Sequence, residues 1–164
     1  MPTSGQDSSA AEFRLKNFLP YRLVAVADSI FRIFAENYEE NFNLTMPEWR
    51  VLAVVAENGT MSPTEVGNLT AMDKVKVSRA AQGLTAKGML RRSRDPHDGR
   101  GRLLRLTRKG SAIHGSVVPL ATRLEAELFN DLSAAELSAL NRVLAKVTTR
   151  IETNRGTPGQ AASE

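Results

Sequence analysis

The side chains best suited to chemistry in this sequence are its lysines and arginines, which are concentrated in one stretch. Between Asp73 and Gly110 there are twelve lysines or arginines and three acids, a local net charge of +9. The whole chain of 164 residues carries 22 basic and 18 acidic residues, so the remainder has a net charge of −5. A polyanion such as DNA is attracted to such a stretch, because cationic side chains displace the counterions of its phosphates. The stretch is therefore predicted to bind nucleic acid.

The first half of this basic stretch has the periodicity of a helix. Its predicted buried face carries small and apolar residues at helical spacing: Val77, Ala80, Ala81, Leu84 and Gly88. Asp73 is typical of an N-cap, and Gly88 of the residue that stops a helix. The opposite face carries Val75, Arg79, Gln82 and Ala86, flanked by Lys76 and Ser78. Arginine can pair with guanine and glutamine with adenine, so this face is predicted to contact bases in a major groove.

The second half of the stretch has the pattern of a β-hairpin. Residues 89–94 and 103–107 are two short strand-like runs, and Asp95, Pro96, His97, Asp98 and Gly99 between them have turn chemistry. Two aspartates and a histidine could also hold a metal ion, but a polar turn is much the commoner use of such residues. A basic helix followed at once by a basic hairpin predicts a winged helix, with no metal site and no cofactor.

Three capping boxes predict where further helices begin. The pairs are Thr45 with Glu48, Ser62 with Glu65, and Ser133 with Glu136, each flanked by two apolar residues at the staple positions. They predict helices over residues 46–57, 63–70 and 134–152. A helix is also predicted over residues 15–38, entered at Pro20 and ended by Asn41 and Asn43. Another is predicted over residues 108–130, capped by Thr107 and kinked at Pro119.

These elements predict a mainly α fold of six helices with a two-stranded β-hairpin wing. Residues 45–107 would form a winged helix-turn-helix DNA-binding lobe, because a short helix and a tight turn precede the basic helix. Residues 13–44 and 108–153 would form a helical dimerisation lobe, because long terminal helices with wide apolar faces bury against a partner. A homodimer is therefore expected. Residues 1–12 and 154–164 are predicted to be disordered tails.

Composition excludes several other classes of protein. The chain has no cysteine, so disulfides and thiolate metal sites are excluded. No apolar run approaches the roughly 20 residues of a membrane span, and the start of the chain lacks the pattern of a signal peptide. A cytoplasmic location without membrane contact is therefore expected. The two histidines are far apart and no phosphate-binding or nucleophile motif is present, so the chain is not expected to be an enzyme. His114 is expected to be structural.

The run D-G-R-G-R-L-L-R-L-T, from Asp98 to Thr107, resembles the D-x-R-x-x-x-x-x-L-T wing signature of the MarR family of transcriptional regulators. The resemblance extends over roughly residues 15–152, including S-R-A-A-Q-G-L-T-A-K-G-M-L-R-R before the wing. Where family members often have two adjacent arginines after the aspartate, this chain has Gly99 and Arg100. The resemblance implies that Asp98 braces the wing through a neighbouring arginine and that Arg100 enters a minor groove. It also implies a repressor that releases DNA when an aromatic acid or phenol binds.

These considerations give two sets of candidate site residues. The DNA-binding set is Ser62, Thr64, Lys74, Val75, Lys76, Ser78, Arg79, Gln82, Asp98, Arg100 and Arg102. The ligand-binding set is Arg22, Ser29, Trp49 and Arg50. The lone tryptophan lies at a staple position that favours the core, with a pocket lining as the alternative. The other three could hold a carboxylate or phosphate, although such residues are more often surface or dimer residues.

The expected partners are an operator in double-stranded DNA, a second copy of the chain, and a small effector. An aromatic carboxylate, a phenolic compound or an aryl-CoA thioester would suit, since P-E-W-R-V-L-A-V and T-A-M-D-K-V-K-V-S-R are similar to the hydroxycinnamoyl-CoA-responsive branch of the family. The alternative is an architectural or nucleoid-type winged-helix protein without ligand control.

Overall fold

The computed structural model describes residues 13–94 and 102–155, which form six α-helices and a two-stranded antiparallel sheet. A short 3-10 helix, Leu15–Asn17, comes first. The helices are α1 (Leu19–Phe42), α2 (Met46–Asn58), α3 (Pro63–Thr70), α4 (Lys74–Ala86), α5 (Arg108–Phe129) and α6 (Ala134–Arg155). The strands β1 (Leu90–Arg94) and β2 (Arg102–Leu106) lie between α4 and α5. The predicted mainly α fold with a hairpin wing is confirmed.

The predicted capping boxes form at all three helix starts. In α2, the Thr45 hydroxyl accepts from the Glu48 amide at 3.4 Å, and the Glu48 carboxylate accepts from the Thr45 amide at 2.9 Å. Ser62 and Ser133 make the same reciprocal bonds at the starts of α3 and α6. The bonds from Ser133 hold the pKa of Glu136 below its usual value. Because each capping box joins residues only three positions apart, these helix starts could be predicted from the sequence.

The core of the helix-turn-helix is built from the buried faces of α2, α3 and α4. Its fully buried side chains include Val51, Leu52, Val55, Val66, Val77 and Leu84. Ala80 and Ala81, the small residues of the α4 stripe, are buried as predicted. Gly88 is not, because α4 ends at Ala86 and Gly88 adopts a left-handed conformation (φ 70°) in the turn that follows. Its predicted role as the stop is confirmed, but its placement on the buried face is wrong.

The hairpin register places Leu90 opposite Leu106 and Arg94 opposite Arg102. β1 begins one residue later than predicted, and β2 both begins and ends one residue earlier. Met89 still closes the end of α4, since its amide donates to the Leu84 carbonyl at 2.9 Å. Thr107 lies outside β2 and caps α5, because its hydroxyl accepts from the Gly110 amide at 3.1 Å. That bond confirms the predicted cap of α5.

The first and last helices differ from their predicted ranges. The 3-10 helix ends before Phe18, so α1 begins at Leu19 with Pro20 in its first turn. Asn41 does not end α1, because its side-chain amide donates to the Asn37 carbonyl at 2.8 Å and is therefore satisfied within the helix. Asn43 ends it in a left-handed conformation (φ 53°). At the other end of the chain, α6 continues past residue 152 to Arg155.

The chain divides into two compact units, whose described parts are residues 13–121 and 122–155. In the first unit, α1 exposes large apolar residues: Leu19, Leu23, Val24, Val26, Phe31 and Ile33. In the second, α6 exposes Leu140, Val143, Leu144, Val147 and Ile151. Pro119 lies inside α5, as predicted. None of the helices in the described ranges is long and apolar enough to cross a membrane. The predicted tails, residues 1–12 and most of 154–164, lie outside the described residues.

Candidate nucleic-acid interface

The solvent-facing side of α4 carries the residues that the sequence assigned to base contact. We call Val75, Lys76, Ser78, Arg79 and Gln82 the recognition face. All five are exposed, and the opposite side of the same helix is buried against α2 and α3. Val75 is 58% exposed. An apolar methyl surface held out among polar and basic side chains suits contact with a thymine methyl group.

The first turn of α4 fixes where the recognition face begins. The Asp73 carboxylate accepts from the Lys76 amide at 2.8 Å, and this bond holds the pKa of Asp73 below its usual value. The side chain of Lys76 also lies 3.6 Å from that carboxylate. Lys74 is exposed beside them. The cap thus ties the start of the helix down while leaving both lysines accessible to solvent.

Ser62 and Thr64, the two candidates at the start of α3, differ in whether their hydroxyl groups are available to contact DNA. Thr64 is exposed. Ser62 is half-buried, and its hydroxyl both donates to the Glu65 carboxylate at 2.8 Å and accepts from the Glu65 amide at 3.3 Å. The Ser62 side chain therefore serves the capping box first. A contact from α3 to a phosphate would come more directly from Thr64.

The wing strands carry arginines close to the recognition helix. Arg102 is exposed and lies across the hairpin from Arg94. Arg92 donates to the Ser78 carbonyl at 3.3 Å and so links β1 to α4. Asp98 and Arg100 lie outside the described residues, as does the whole turn from 95 to 101. Their predicted roles in bracing the wing and entering a minor groove stay predictions.

A buried ion pair holds the end of α4 against the start of α2. Lys87 Nζ lies 2.7 Å from Glu48 Oε2 and donates to the Asn43 carbonyl at 2.6 Å. Gly83 makes the pair possible, because a Cβ at this position would collide with Glu48 Oε1. The sequence predicted only a cap for Glu48. The signal that could have revealed the pair is a glycine in mid-helix, where glycine weakens the helix and so calls for a packing reason.

Two of the candidate ligand residues, Trp49 and Arg50, contact aromatic side chains of α1. The Trp49 ring is half-buried between Tyr38, at a centroid distance of 5.3 Å, and His114, which stacks on it at 5.6 Å. The Arg50 guanidinium lies 4.6 Å from the centre of the Phe31 ring. Burial raises the pKa of Tyr38 to about 12. His114 stacks on Trp49, and its expected structural role stays a prediction.

Arg22 and Ser29 lie further along α1, about two helical turns from each other. Both are exposed, and the Ser29 hydroxyl donates to the Ala25 carbonyl at 2.9 Å. Among the described residues, no ring contact, ion pair or hydrogen bond joins either of them to Trp49 or Arg50. Trp49 and Arg50 therefore contact side chains of α1, but the four candidate ligand residues do not form one cluster.

A short helix, a tight turn and an exposed basic helix followed by a basic hairpin define a winged helix-turn-helix protein of the DNA-binding type. The model of the MarR family matches residues 42–101. The chain is 30% identical to the multiple antibiotic resistance protein MarR of Salmonella typhimurium over 112 residues, 68% of this chain and 78% of that protein. The chain belongs to the MarR family, and it is a transcriptional regulator.

Two further relatives cover most of the chain. The transcriptional repressor IacR of Pseudomonas putida is 26% identical over 92% of this chain and 89% of its own length. The solved structure of BpsR from Bordetella bronchiseptica is 27% identical, with a TM-score of 0.77 over 83% of this chain and 96% of that one. DNA binding by BpsR is regulated by 6-hydroxynicotinic acid.

Proposed function

We propose that this regulator binds a pseudo-palindromic operator as a homodimer and represses transcription until a small aromatic effector releases it. The observation that carries the proposal is the recognition face of α4. It offers an arginine, a glutamine, a serine and a valine to solvent, side chains that discriminate between base pairs in a major groove. The relative IacR is a transcriptional repressor, which supports repression over activation.

Exposed apolar surface on the terminal helices supports the homodimer. On α1, Leu19 is 60% exposed and Val26 is 59% exposed, and on α6 Val143 is 55% exposed. Monomeric proteins rarely leave so many large apolar side chains in contact with water along one helix. A two-fold dimer would bury such residues and would present two α4 helices to successive major grooves about 34 Å apart.

The aromatic cluster on α1 and α2 supports an aromatic effector. Trp49 is only half-buried, and Arg50 lies beside it in sequence with its guanidinium over a ring of α1. A ring system with a nearby cation suits an aromatic carboxylate, a phenol or the thioester of such an acid. The relative BpsR, whose DNA binding is regulated by 6-hydroxynicotinic acid, supports the same chemical class. The proposed ligand set also includes Arg22 and Ser29, which are exposed on α1.

The proposal is tested by selecting duplexes from a random pool and then measuring their release. The expected result is enrichment of a two-fold symmetric sequence, which the protein binds far more tightly than a random duplex. Aromatic acids, including 6-hydroxynicotinic acid, and aryl-CoA thioesters are then added to the complex. A releasing compound must bind the DNA-bound protein more weakly by the same factor by which it weakens DNA binding.

One outcome would contradict sequence-specific binding, and another would exclude a compound as the effector. Equal affinity for selected and random duplexes would favour the architectural alternative, because a nucleoid-type protein binds the backbone without base discrimination. A compound that binds the free and the DNA-bound protein equally cannot be the effector. Arg79→Ala on α4 should weaken binding to the selected duplex. Arg142→Ala on α6 is its matched control, since both remove one exposed arginine from a helix and only Arg79 lies on the recognition face.

A further inference from the structure

The hairpin register sets two arginines directly opposite each other. Arg91 of β1 pairs with Arg105 of β2, and both side chains are exposed. Because side chains alternate between the two faces of a sheet, this pair lies on the face opposite to Leu90 and Leu104, which are buried. The Arg91–Arg105 pair therefore points outward from the protein core. Neither arginine belongs to the set that the sequence assigned to DNA.

Such a pair is unfavourable in the free protein. Side chains directly opposite in an antiparallel sheet have their Cβ atoms about 4.5–5.5 Å apart, and like charges at that spacing destabilise the hairpin. The two strands contain five arginines and no acidic residue. Within residues 13–94 and 102–155, the ion pairs that form involve other residues, so no described carboxylate neutralises Arg91 or Arg105. An anion bound by both arginines would neutralise this repulsion.

The hairpin is held in a fixed position relative to the recognition helix. On its inward face, Arg92 donates to the Ser78 carbonyl of α4 at 3.3 Å. On the outer edge of β2, Met61 and Leu104 exchange two backbone hydrogen bonds, at 3.0 and 2.7 Å. The Arg91–Arg105 pair lies on the opposite face of this anchored hairpin from the Arg92 contact. An anion held by this pair would have a fixed relation to whatever α4 binds.

We propose that Arg91 and Arg105 together bind one phosphate of the DNA backbone beside the groove that α4 enters. Guanidinium groups form charge-assisted hydrogen bonds with phosphate oxygens, and two of them can share one phosphate. The phosphate removes the like-charge repulsion that the free hairpin carries. This site rests on the proposed function, because it requires that α4 bind DNA. It adds a phosphate contact made by the strands themselves, away from the tip of the wing.

The test measures operator affinity against salt concentration for Arg91→Gln, Arg105→Gln and the double variant, on a duplex selected from a random pool. Each single variant is expected to lower the slope of log affinity against log salt by about 0.9, the value for one lost phosphate contact. The double variant is expected to lose no more than either single variant, because one shared phosphate is already lost. Arg142→Gln on α6 removes the same charge and should leave the slope unchanged.

Thermal melts of the free variants separate this site from a structural role. None of the three variants should melt below the unmodified protein, since each removes a repulsion and both side chains are exposed. Slopes unaltered by the substitutions would overturn the site and would leave the arginines as charges that protect a sheet edge from aggregation. Strictly additive losses would overturn the shared phosphate. If the unmodified protein bound no duplex, the proposed function itself would fail.

Discussion

Replacing Lys87 with methionine is the sharpest stability test that the structure offers. The substitution keeps the length and most of the apolar stem of the side chain but removes the charge that pairs with Glu48 at 2.7 Å. The Glu48 side chain is 7% exposed, so its carboxylate would stay buried without its cation. The Asn43 carbonyl would also lose the hydrogen bond that it accepts from Lys87.

The expected cost follows from how completely the pair is buried. Removing one partner of a fully buried ion pair costs about 3–5 kcal/mol. Here the Lys87 side chain is 26% exposed, and the Glu48 carboxylate keeps two hydrogen bonds from Thr45, at 2.9 and 3.0 Å. We therefore expect a smaller loss, about 2–3 kcal/mol of unfolding free energy. For a chain of this size, that corresponds to a fall of about 4–12 °C in melting temperature.

The assay is chemical and thermal unfolding of Lys87→Met beside the control Lys76→Met. Lys76 also lies near a carboxylate, at 3.6 Å from Asp73, but both side chains are more than half exposed. The control should melt close to the unmodified protein, because exposed ion pairs contribute little to stability. If Lys87→Met melted no lower than Lys76→Met, the buried pair would not stabilise the packing of α4 on α2.

Three further predictions concern the recognition face, the wing and the core. Arg79→Ala should cost about 1–3 kcal/mol of operator affinity and relax the preference at one position of each half-site; an equal loss on random DNA would assign Arg79 to a phosphate. Arg100→Ala should lower operator affinity while the melting temperature stays unchanged; a large fall in melting temperature would make Arg100 structural. Because burial raises the pKa of Tyr38 to about 12, its contribution to stability is present below pH 10 and is lost as the pH rises towards 12. Melts from pH 9 to 12 should therefore fall more steeply for the unmodified protein than for Tyr38→Phe, and parallel curves would contradict this.

The sequence was sufficient wherever the determining interactions are local. The three capping boxes depend on residues three positions apart, so the starts of α2, α3 and α6 were predicted to the residue. The buried and exposed sides of α4 follow from the 3.6-residue period, and both are confirmed by the exposure of the side chains.

Features that depend on residues distant in the chain were not predictable in the same way. The pair of Glu48 with Lys87 spans 39 residues, and its geometry depends on the absence of a side chain at Gly83. The link between Arg92 and Ser78 and the opposition of Arg91 and Arg105 both depend on the strand register. Trp49 shows the same limit, since its staple position favours the core but its ring is only half-buried beside His114.

The central claim is that α4 binds DNA in a sequence-specific manner, with the basic stretch around it contacting phosphates. The measurement that tests this most directly is the affinity for a selected operator and for a random duplex over a range of salt concentrations. We predict that both affinities fall steeply with salt, as the release of several counterions requires. We also predict that the selected operator stays preferred throughout by about 10³-fold or more. A flat dependence on salt, or equal affinity for the two duplexes, would contradict it.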